Sequence, residues 1–310
     1  MNTIKLAALD VGTNTVLMLV AERDSAGEVR TLADLARITR LGRGVDANGS
    51  LDRDAVARTL DTIAEFAATA RALGAGKIVG AATAAVRDAD NGPAFIAQVK
   101  DRAGIDLDVI SGETEAQLSW LAVRKGLKLD PADKVLVVDI GGGSTELIRA
   151  EPGRKLDVAS LQIGSVRLTE RIVHHDPPLA REAADLRLAV DDALRALGWD
   201  FAPDTMVGIA GTVTTVCATA LRLAKYDPAI VHGYRLSLAQ VLETLARLGA
   251  VPLEQRKQLP GLEPARADVI LAGTAILERV MGHFGLDHVI VSDQGVRWGL
   301  LWRELENKPL

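Results

Sequence analysis

The sequence predicts an α/β fold built from two related domains, and three observations lead to this class. An apolar strand that ends in Asp or Gly and runs into a small-residue turn occurs three times along the chain. Strand-like and helix-like segments alternate between these repeats, which favours mixed α/β layers over all-α or all-β packing. The length of 310 residues also exceeds the size at which single cores usually stop growing, so two domains are expected.

The first two repeats predict a duplicated domain. Residues 6–19 read LAALDVGTNTVLML, and residues 135–148 read VLVVDIGGGSTELI. The positions that we expect to correspond are Asp10 with Asp139, Gly12 with Gly141 and Thr15 with Thr145. The third repeat, at residues 206–221, carries a strand through Gly208, Gly211 and Thr212 into a helix.

Further elements lie between the repeats. After Ser50 as an N-cap, with Asp52 and Asp54 near the positive helix end, apolar residues at helical spacing predict a helix that Gly74 ends. A helix at residues 268–284 is apolar almost all round, as expected of a core helix packed on several sides. The remaining predictions are strands at residues 77–82 and 289–291 and a last helix at residues 295–306.

The domain boundary is predicted near residues 122–134, where Gly126, Asp130 and Pro131 interrupt the pattern. The first domain then covers residues 1–124 and the second covers residues 125–298. We expect the terminal helix, at about residues 299–310, to pack back on the first domain.

Composition narrows the class of protein. Hydrophobic residues make up 48% and charged residues 25%, and no apolar run approaches the roughly 18 residues of a membrane span. No secretion signal is expected in the first residues, and the single Cys217 argues against an internal disulfide or a cysteine metal site, which fits the cytoplasm. The net charge of −5 argues against a broadly basic nucleic-acid binder.

The second repeat has the residue types of a phosphate site. Glycine residues let backbone N–H groups approach an anion closely, and the hydroxyls of Ser144 and Thr145 add donors. Asp139, at the end of the strand, can hold Mg²⁺ opposite the phosphate oxygens. One glycine-rich turn is a weak signal, but the matching turn after Asp10 favours function.

At this point a family resemblance becomes explicit. The paired loops resemble the actin-like ATPase and sugar-kinase superfamily, and within it the chain is similar to the exopolyphosphatase and guanosine pentaphosphate phosphohydrolase family, from residue 7 to about 302. The stretches that carry the resemblance are LDVGTNT (9–15), ITRLGRGVD (38–46), AATAAVRDADNG (81–92), VISGETEA (109–116), VVDIGGGSTEL (137–147), IGSVRLTER (163–171), GIAGTVTT (208–215), VHGYRLS (231–237) and VSDQGVRWGLL (291–301). The length matches the short, two-domain members.

The resemblance implies two actin-like (ribonuclease H-like) domains with a cleft between them, and it implies roles for individual residues. The implied catalytic residues are Glu115 and Glu146. The implied phosphate-binding residues are Thr13, Asn14, Thr15, Arg87, Gly141, Gly142, Gly143, Ser144, Thr145, Gly211 and Thr212. The implied metal ligands are Asp139, Glu146 and Asp10, for Mg²⁺ or alternatively Mn²⁺.

The residues around Glu115 agree with a role as a base. Ser111 is a good N-cap, which makes Thr114 the third and Glu115 the fourth helical position. A carboxylate there lies near the positive end of the helix, which favours the ionised form that a general base needs. From the residues alone, an ordinary first-turn acid is the alternative interpretation, and the family resemblance favours the catalytic role.

The chain departs from the commoner family pattern at a few positions. Thr114 stands where many members have glutamate, and we expect this to change a helix cap rather than the chemistry. Thr13 and Thr15 replace serines and keep the hydroxyl, and Ala210 replaces a glycine in the third loop.

Charged residues outside these loops leave two interpretations open. Arg37, Arg40 and Arg43 recur every three residues and either line a groove for a polyanion or form a solvated face. The five histidines have no metal-binding spacing, so zinc is not expected.

The predicted function is exopolyphosphatase, with water attacking a terminal phosphorus and Glu115 as base. Inorganic polyphosphate is the expected partner, and a homodimer is expected by resemblance. The first alternative is a guanosine pentaphosphate 5′-phosphohydrolase. A sugar or acetate kinase is weaker, and a non-catalytic polyphosphate or nucleotide sensor belongs to a different class.

Overall fold

The computed structural model describes residues 3–306, and the chain forms two compact units. Unit 1 comprises Met1–Ala122 and Val296–Leu310, and unit 2 comprises Val123–Gly295. The chain passes from unit 1 to unit 2 inside a helix and returns just before the last helix. Both crossings lie close to the expected limits at residues 124 and 298.

Unit 1 contains a five-stranded mixed sheet. Its strands are β1 (Ile4–Val11), β2 (Thr15–Arg23), β3 (Val29–Ile38), β4 (Lys77–Ala82) and β5 (Leu107–Val109). Their order is β3-β2-β1-β4-β5, in which β1, β2 and β3 are antiparallel neighbours and β1, β4 and β5 are parallel. The strand predicted at residues 77–82 is confirmed.

Helices cover both faces of this sheet. They are α1 (Val45–Asn48), α2 (Arg53–Ala72), α3 (Ala84–Arg87), α4 (Gly92–Ala103), α5 (Gly112–Gly126, which continues into unit 2) and the C-terminal helix (Val296–Leu305). Along β1, Ala7 and Leu9 face the core that includes α2 and α4, and Leu6 and Ala8 face the core that includes the C-terminal helix. Strand β1 is apolar on both faces because the sheet lies between two layers of helices, which makes unit 1 a three-layer structure.

The predicted cap of the helix after Ser50 is wrong by two residues. The N-cap of α2 is Asp52, whose carboxylate accepts a 2.9 Å hydrogen bond from the Ala55 N–H. Ser50 lies outside the helix because the backbone N–H and carbonyl of the next residue, Leu51, are both hydrogen-bonded to the Asn91 side chain, at 2.8 and 3.0 Å. The prediction that a side-chain oxygen caps the helix start is correct, but the capping residue is Asp52 and not Ser50.

Unit 2 repeats the sheet of unit 1. Its strands are β6 (Val135–Ile140), β7 (Thr145–Ala150), β8 (Asp157–Leu161), β9 (Thr205–Ile209), β10 (Arg235–Ser237) and β11 (His288–Val291). The order β8-β7-β6-β9-β11 has the same antiparallel and parallel pairing as β3-β2-β1-β4-β5, and β10 is added at one edge. The prediction of two related α/β domains is confirmed.

Seven helices and one 3₁₀ turn complete unit 2 within the described residues. They are α6 (Ser165–Ile172), α7 (Ala180–Leu197), α8 (Ala210–Ala220), α9 (Pro228–Val231), α10 (Leu238–Gly249), α11 (Leu253–Arg256), the 3₁₀ turn (Pro264–Arg266) and α12 (Ile270–His283). The core helix predicted at residues 268–284 is α12, which is buried along nearly its whole length. Across residues 3–306, no helix is both long enough and apolar enough to cross a membrane.

Candidate active site

The first and second repeats form the same hairpin in the two units. In loop 1 (residues 12–15) the Gly12 N–H donates to the Thr15 carbonyl at 3.0 Å, and in loop 2 (residues 141–144) the Gly141 N–H donates to the Ser144 carbonyl at 3.0 Å. A Cβ on either glycine would lie only 3.2 or 3.1 Å from the carbonyl oxygen that it contacts. Both turns therefore favour glycine at their first position.

This geometry corrects one expected correspondence. The strand register pairs Val11 with Val16 in unit 1 and Ile140 with Thr145 in unit 2. Thr15 therefore corresponds to Ser144, and the expected match of Thr15 with Thr145 is wrong by one residue. The sequence comparison matched two threonines because they are the same residue type, and that match requires one extra residue in loop 2. The strand pairing shows that the two hairpins have the same length.

Loop 2 turns its carbonyl groups toward the start of α6. Gly141 O accepts from the Ser165 N–H at 2.9 Å, and Gly142 O accepts from the N–H groups of Val166 and Arg167 at 2.9 and 3.0 Å. Within residues 3–306, the N–H groups of Gly142 and Gly143 have no protein acceptor. Successive N–H groups of this kind form an anion-binding concavity, so loop 2 has the properties of a phosphate cradle.

Loop 1 is held in the same way by the turn that follows β3. Thr13 O accepts from the Gly42 N–H at 2.8 Å, and Asn14 O accepts from the N–H groups of Thr39 and Arg40, both at 3.0 Å. The N–H groups of Thr13 and Asn14 have no acceptor among the described residues. The predicted phosphate loop of unit 1 thus shares the backbone design of loop 2.

Three of the hydroxyl groups predicted to bind phosphate donate to protein acceptors. Ser144 Oγ donates to Glu146 Oε1 at 2.6 Å, Thr145 Oγ1 donates to Ile163 O at 2.6 Å, and Thr212 Oγ1 donates to Ile140 O at 2.8 Å. All three hydroxyl side chains are buried. Each of these hydroxyl protons thus holds a loop or a strand in this structure, and phosphate binding by the three residues stays a prediction.

Two buried carboxylates lie directly opposite each other in unit 2. Asp139 on β6 pairs with Glu146 on β7 in the antiparallel register, with 8% and 3% of their surfaces exposed. Directly opposed residues have Cβ atoms about 4.5–5.5 Å apart, and like charges at that spacing repel. Glu146 Oε1 accepts hydrogen bonds from Ser144 and from Ser160, the latter at 2.9 Å.

This carboxylate pair fits a hard divalent cation. Mg²⁺ in proteins is commonly held by one or two carboxylates together with substrate phosphates and water. A cation would also offset the repulsion between Asp139 and Glu146. No group of three or more His, Cys, Asp and Glu side chains at metal-binding distance occurs in residues 3–306.

Asp10 is the corresponding carboxylate of unit 1, and its surroundings differ. Leu17 stands opposite Asp10, where Glu146 stands opposite Asp139. Burial raises the pKa of Asp10 to about 6, and the charge of Arg297 opposes this shift. Arg297 itself forms a two-pronged ion pair with Asp34, at 3.0 and 2.9 Å. Unit 1 therefore has a single strand-end carboxylate, and its Oδ1 is buried without a hydrogen bond among the described residues.

Glu115 lies in the first turn of α5, as predicted. Ser111 Oγ accepts from the Thr114 N–H at 3.2 Å and donates to the Thr114 hydroxyl at 3.1 Å, which confirms Ser111 as the cap. The threonine hydroxyl thus contacts the capping side chain where a glutamate would form a capping box. The Glu115 side chain is 13% exposed, and its Oε2 is 3.8 Å from Arg87 Nη1.

Arg87 ends α3 and is brought next to Glu115 within unit 1. Its Nη1 donates to the Ile110 carbonyl at 3.0 Å, and its Nε is 3.5 Å from Asp88 Oδ1. The guanidinium is partly exposed, and its contact with Ile110 fixes it beside the start of α5. Arg87 can therefore orient the Glu115 carboxylate as well as contact an anion.

Two of the three arginines that recur after residue 36, Arg37 and Arg40, have different surroundings in the structure. Arg37 forms a two-pronged ion pair with Glu65, at 2.5 and 2.8 Å, and lies over the Phe66 ring. Arg40 is in the turn that holds loop 1, with a positive φ of 55°. Arg37 therefore belongs to a solvated, paired face of unit 1, which favours that interpretation for this residue.

Sequence reasoning missed Arg266. Its guanidinium lies against Gly211 so closely that a Cβ on Gly211 would overlap it. Burial lowers the pKa of Arg266, and the charges of Glu263 and Tyr226 oppose this. A guanidinium beside the third loop suits phosphate recognition. Arg266 lies in the 3₁₀ turn Pro264–Arg266, far from the loop in sequence and without a motif, so only the fold brings it there.

Curated relatives match nearly the whole chain. The model of the Ppx/GppA phosphatase family matches residues 19–308. Exopolyphosphatase 2 of Mycobacterium tuberculosis is 36% identical over 312 residues, which covers 96% of this chain and 97% of that protein. Exopolyphosphatase 1 of Mycobacterium leprae is 29% identical and covers 98% of this chain and 91% of that protein.

Solved structures share the fold over the same extent. The Aquifex aeolicus member of the Ppx/GppA family superposes with a TM-score of 0.84 at 33% identity, with 99% of both chains covered. An exopolyphosphatase from Cytophaga hutchinsonii has a TM-score of 0.90 at 26% identity and covers 98% of this chain and 99% of that one. Together with the shared strand order of the two units, these similarities place the chain in the Ppx/GppA phosphatase family, as a hydrolase that acts on phosphoanhydride bonds.

Proposed function

We propose that the chain is an exopolyphosphatase, which removes the terminal phosphate from inorganic polyphosphate. The observation that carries the proposal is the geometry of loop 2. Its glycine carbonyls accept hydrogen bonds from N–H groups at the start of α6, and the N–H groups of Gly142 and Gly143 have no protein acceptor among the described residues. Beside the loop lies the buried pair Asp139 and Glu146. A polyanion with a terminal phosphate matches this combination of N–H donors and cation-binding carboxylates.

The proposed chemistry is direct attack of water on the terminal phosphorus. Glu115 accepts a proton from the water, the new P–O bond forms, and the bridging P–O bond breaks so that the shortened chain leaves with its electron pair. N–H groups of loop 2 stabilise the charge that builds up on the transferred phosphoryl group. No covalent phosphoenzyme is required.

A divalent cation belongs to this proposal. Asp139 and Glu146 would hold Mg²⁺, with Mn²⁺ as an alternative and Asp10 as a further expected ligand. When bound, the ion neutralises phosphate charge and polarises the phosphoryl oxygens. The chain's own residues then supply the base, the cradle and the orientation of Glu115 by Arg87, whose Nη1 is 3.8 Å from Glu115 Oε2.

The first alternative is hydrolysis of the 5′ phosphate of guanosine pentaphosphate, which needs the same base and cradle plus a guanosine pocket. A kinase would need an acceptor pocket, and a sensor would bind the polyanion without turnover. We further propose a cytoplasmic homodimer that does not act on nucleic acid, which is consistent with the single cysteine and the net charge of −5.

Phosphate release from four substrates tests the proposal. Long polyphosphate, tripolyphosphate, guanosine pentaphosphate and ATP are compared at equal concentration of terminal phosphate, with and without EDTA. We expect the highest kcat/KM on long polyphosphate. A preference of more than tenfold for guanosine pentaphosphate would favour the first alternative, and binding of polyphosphate without phosphate release would favour a sensor.

The metal is tested separately with Asp139→Asn. The substitution keeps the shape of the side chain and removes a charge that faces the proposed cation. We expect half-maximal activity at a higher Mg²⁺ concentration, with partial recovery at saturation. A metal titration that overlays that of the parent would argue that Asp139 serves the fold only.

A further inference from the structure

Three consecutive carbonyl groups of loop 2 point toward the residues at the start of α6. Gly141 O accepts from both the Ser165 N–H and the Ser165 hydroxyl, at 2.9 and 3.2 Å. Gly142 O accepts from the N–H groups of Val166 and Arg167. Because a peptide's N–H and C=O point in opposite directions, holding these carbonyls also fixes the direction in which the N–H groups of the loop point.

The backbone of α6 cannot hold the third carbonyl. The next N–H along the helix, that of Leu168, donates to Gly164 O at 2.9 Å and has entered the regular helical pattern. Gly143 O accepts instead from a side chain, the Nε of Arg167, at 2.6 Å. Gly164 allows this close approach of α6, because a Cβ there would overlap the Gly142 carbonyl.

We infer that Arg167 is a positioning residue for the phosphate cradle: its backbone N–H and its Nε hold the Gly142 and Gly143 carbonyls, so that loop 2 presents its N–H groups to the substrate. This inference depends on the proposed function only for the identity of the substrate, because the hydrogen bonds made by Arg167 are present without any ligand. The Gly143 carbonyl shares its peptide with the Ser144 N–H, which, like the N–H groups of Gly142 and Gly143, has no protein acceptor among the described residues. If this peptide flipped, its carbonyl oxygen would replace that N–H donor and would repel a phosphate.

Loop 1 shows that this use of a side chain is specific to unit 2. There the Thr13 and Asn14 carbonyls accept from backbone N–H groups of the turn at residues 39–42. In that turn Arg40 adopts a positive φ of 55°, which lets consecutive N–H groups reach the loop. Unit 2 has a regular helix at the corresponding place, and the arginine side chain supplies the donor that the helix backbone lacks.

Two substitutions distinguish positioning from direct binding of phosphate by the guanidinium. Arg167→Gln removes the charge but keeps an N–H donor at the position of Nε, because both atoms are the fourth beyond Cα. Arg167→Lys keeps the charge but places a methylene at that position. Arg171→Lys is the control, since Arg171 is an exposed arginine in the last turn of the same helix.

Positioning predicts that kcat/KM falls about tenfold in Arg167→Lys and no more than about threefold in Arg167→Gln. A larger loss in Arg167→Gln than in Arg167→Lys would overturn the inference in favour of direct charge recognition. Losses below twofold in both would also overturn it. Thermal unfolding of both variants and of Arg171→Lys separates these losses from a general loss of stability.

A substrate-free measurement keeps the test independent of the proposed function. Backbone ¹⁵N order parameters of Gly143 and Ser144 report whether the loop remains rigid, with about 0.85 expected for ordered backbone and below 0.6 for mobile backbone. We expect Arg167→Lys to lower these values and Arg167→Gln to retain them. Unchanged values in Arg167→Lys would overturn the positioning role, whatever substrate the enzyme prefers.

Discussion

The Ser144 hydroxyl donates a 2.6 Å hydrogen bond to Oε1 of Glu146, and both side chains are buried. The same oxygen accepts a second hydrogen bond, 2.9 Å long, from Ser160 on β8. One donor comes from the predicted phosphate loop and the other from outside it. Glu146 is thus oriented by two hydroxyl groups before any ligand binds.

These two donors lead to a prediction of non-additive stability. A hydrogen bond to a charged group contributes about 1.5–3 kcal/mol, and when one of two donors to the same oxygen is removed, the remaining donor compensates for part of the loss. With one hydroxyl remaining in each single variant, we expect Ser144→Ala and Ser160→Ala to lower the free energy of unfolding by about 1 kcal/mol each. The double variant should lose at least about 0.5 kcal/mol more than the sum. Urea denaturation measures this, Ser144→Thr is the donor-keeping control, and strict additivity would contradict the shared role.

Ala210 adopts a left-handed backbone conformation, with φ of 66°, at the start of α8. This conformation is strained for a residue with a Cβ and costs glycine nothing. We therefore expect Ala210→Gly to raise the free energy of unfolding by about 0.5–1 kcal/mol. The matched control is Ala184→Gly on an exposed position of α7, which should lower stability by about 1 kcal/mol. Equal changes in both variants, measured by thermal or urea unfolding, would mean that residue 210 is not strained.

Sequence reasoning predicted the features that depend on backbone pattern. The duplicated hairpin followed from strands ending in Asp10 and Asp139, and helix α5 followed from Ser111, because both signals lie in adjacent residues. The pairing of Arg37 with Glu65 and the approach of Arg266 to Gly211 join residues far apart in the chain, and no local pattern encodes them.

Side-chain direction was the other limit. Thr145 was expected to face a phosphate because its residue type can donate, but the ladder of β6 and β7 directs its hydroxyl to the Ile163 carbonyl. The sequence shows that a hydroxyl is present, but it does not show which face of the strand the hydroxyl occupies. A change of one residue in the strand register would move the side chain to the other face.

Asp10 leads to a prediction about pH. Its pKa is raised by burial from 3.8 to about 6, so the native state binds the proton more tightly than the unfolded state does. The associated stability is present below about pH 4 and is lost as the pH rises through about 6. Relative to the parent, Asp10→Asn should therefore gain up to about 3 kcal/mol of unfolding free energy between pH 4 and pH 7.

Urea unfolding in metal-free buffer at a series of pH values measures this gain. The control is Asp108→Asn, which changes an exposed carboxylate on β5 and should leave the pH dependence of the parent unchanged. A difference between Asp10→Asn and the parent that stays constant from pH 4 to pH 7 would mean that the Asp10 carboxyl is not perturbed by burial.

The last prediction concerns Glu115 as the general base. Glu115→Gln keeps the shape of the side chain and the helix start but removes the group that accepts a proton, so we expect kcat on polyphosphate to fall by about 10² to 10⁴. Binding of tripolyphosphate, measured by calorimetry, should change little because the N–H groups of loop 2 are untouched. The control is Glu113→Gln, which removes an exposed acid from the same helical turn and should retain most of the activity, so a shared effect of charge on the helix dipole is excluded. If Glu115→Gln kept more than half of the parent activity while its unfolding temperature was unchanged, the base would have to be another residue, and the 3.8 Å contact with Arg87 would be a structural ion pair.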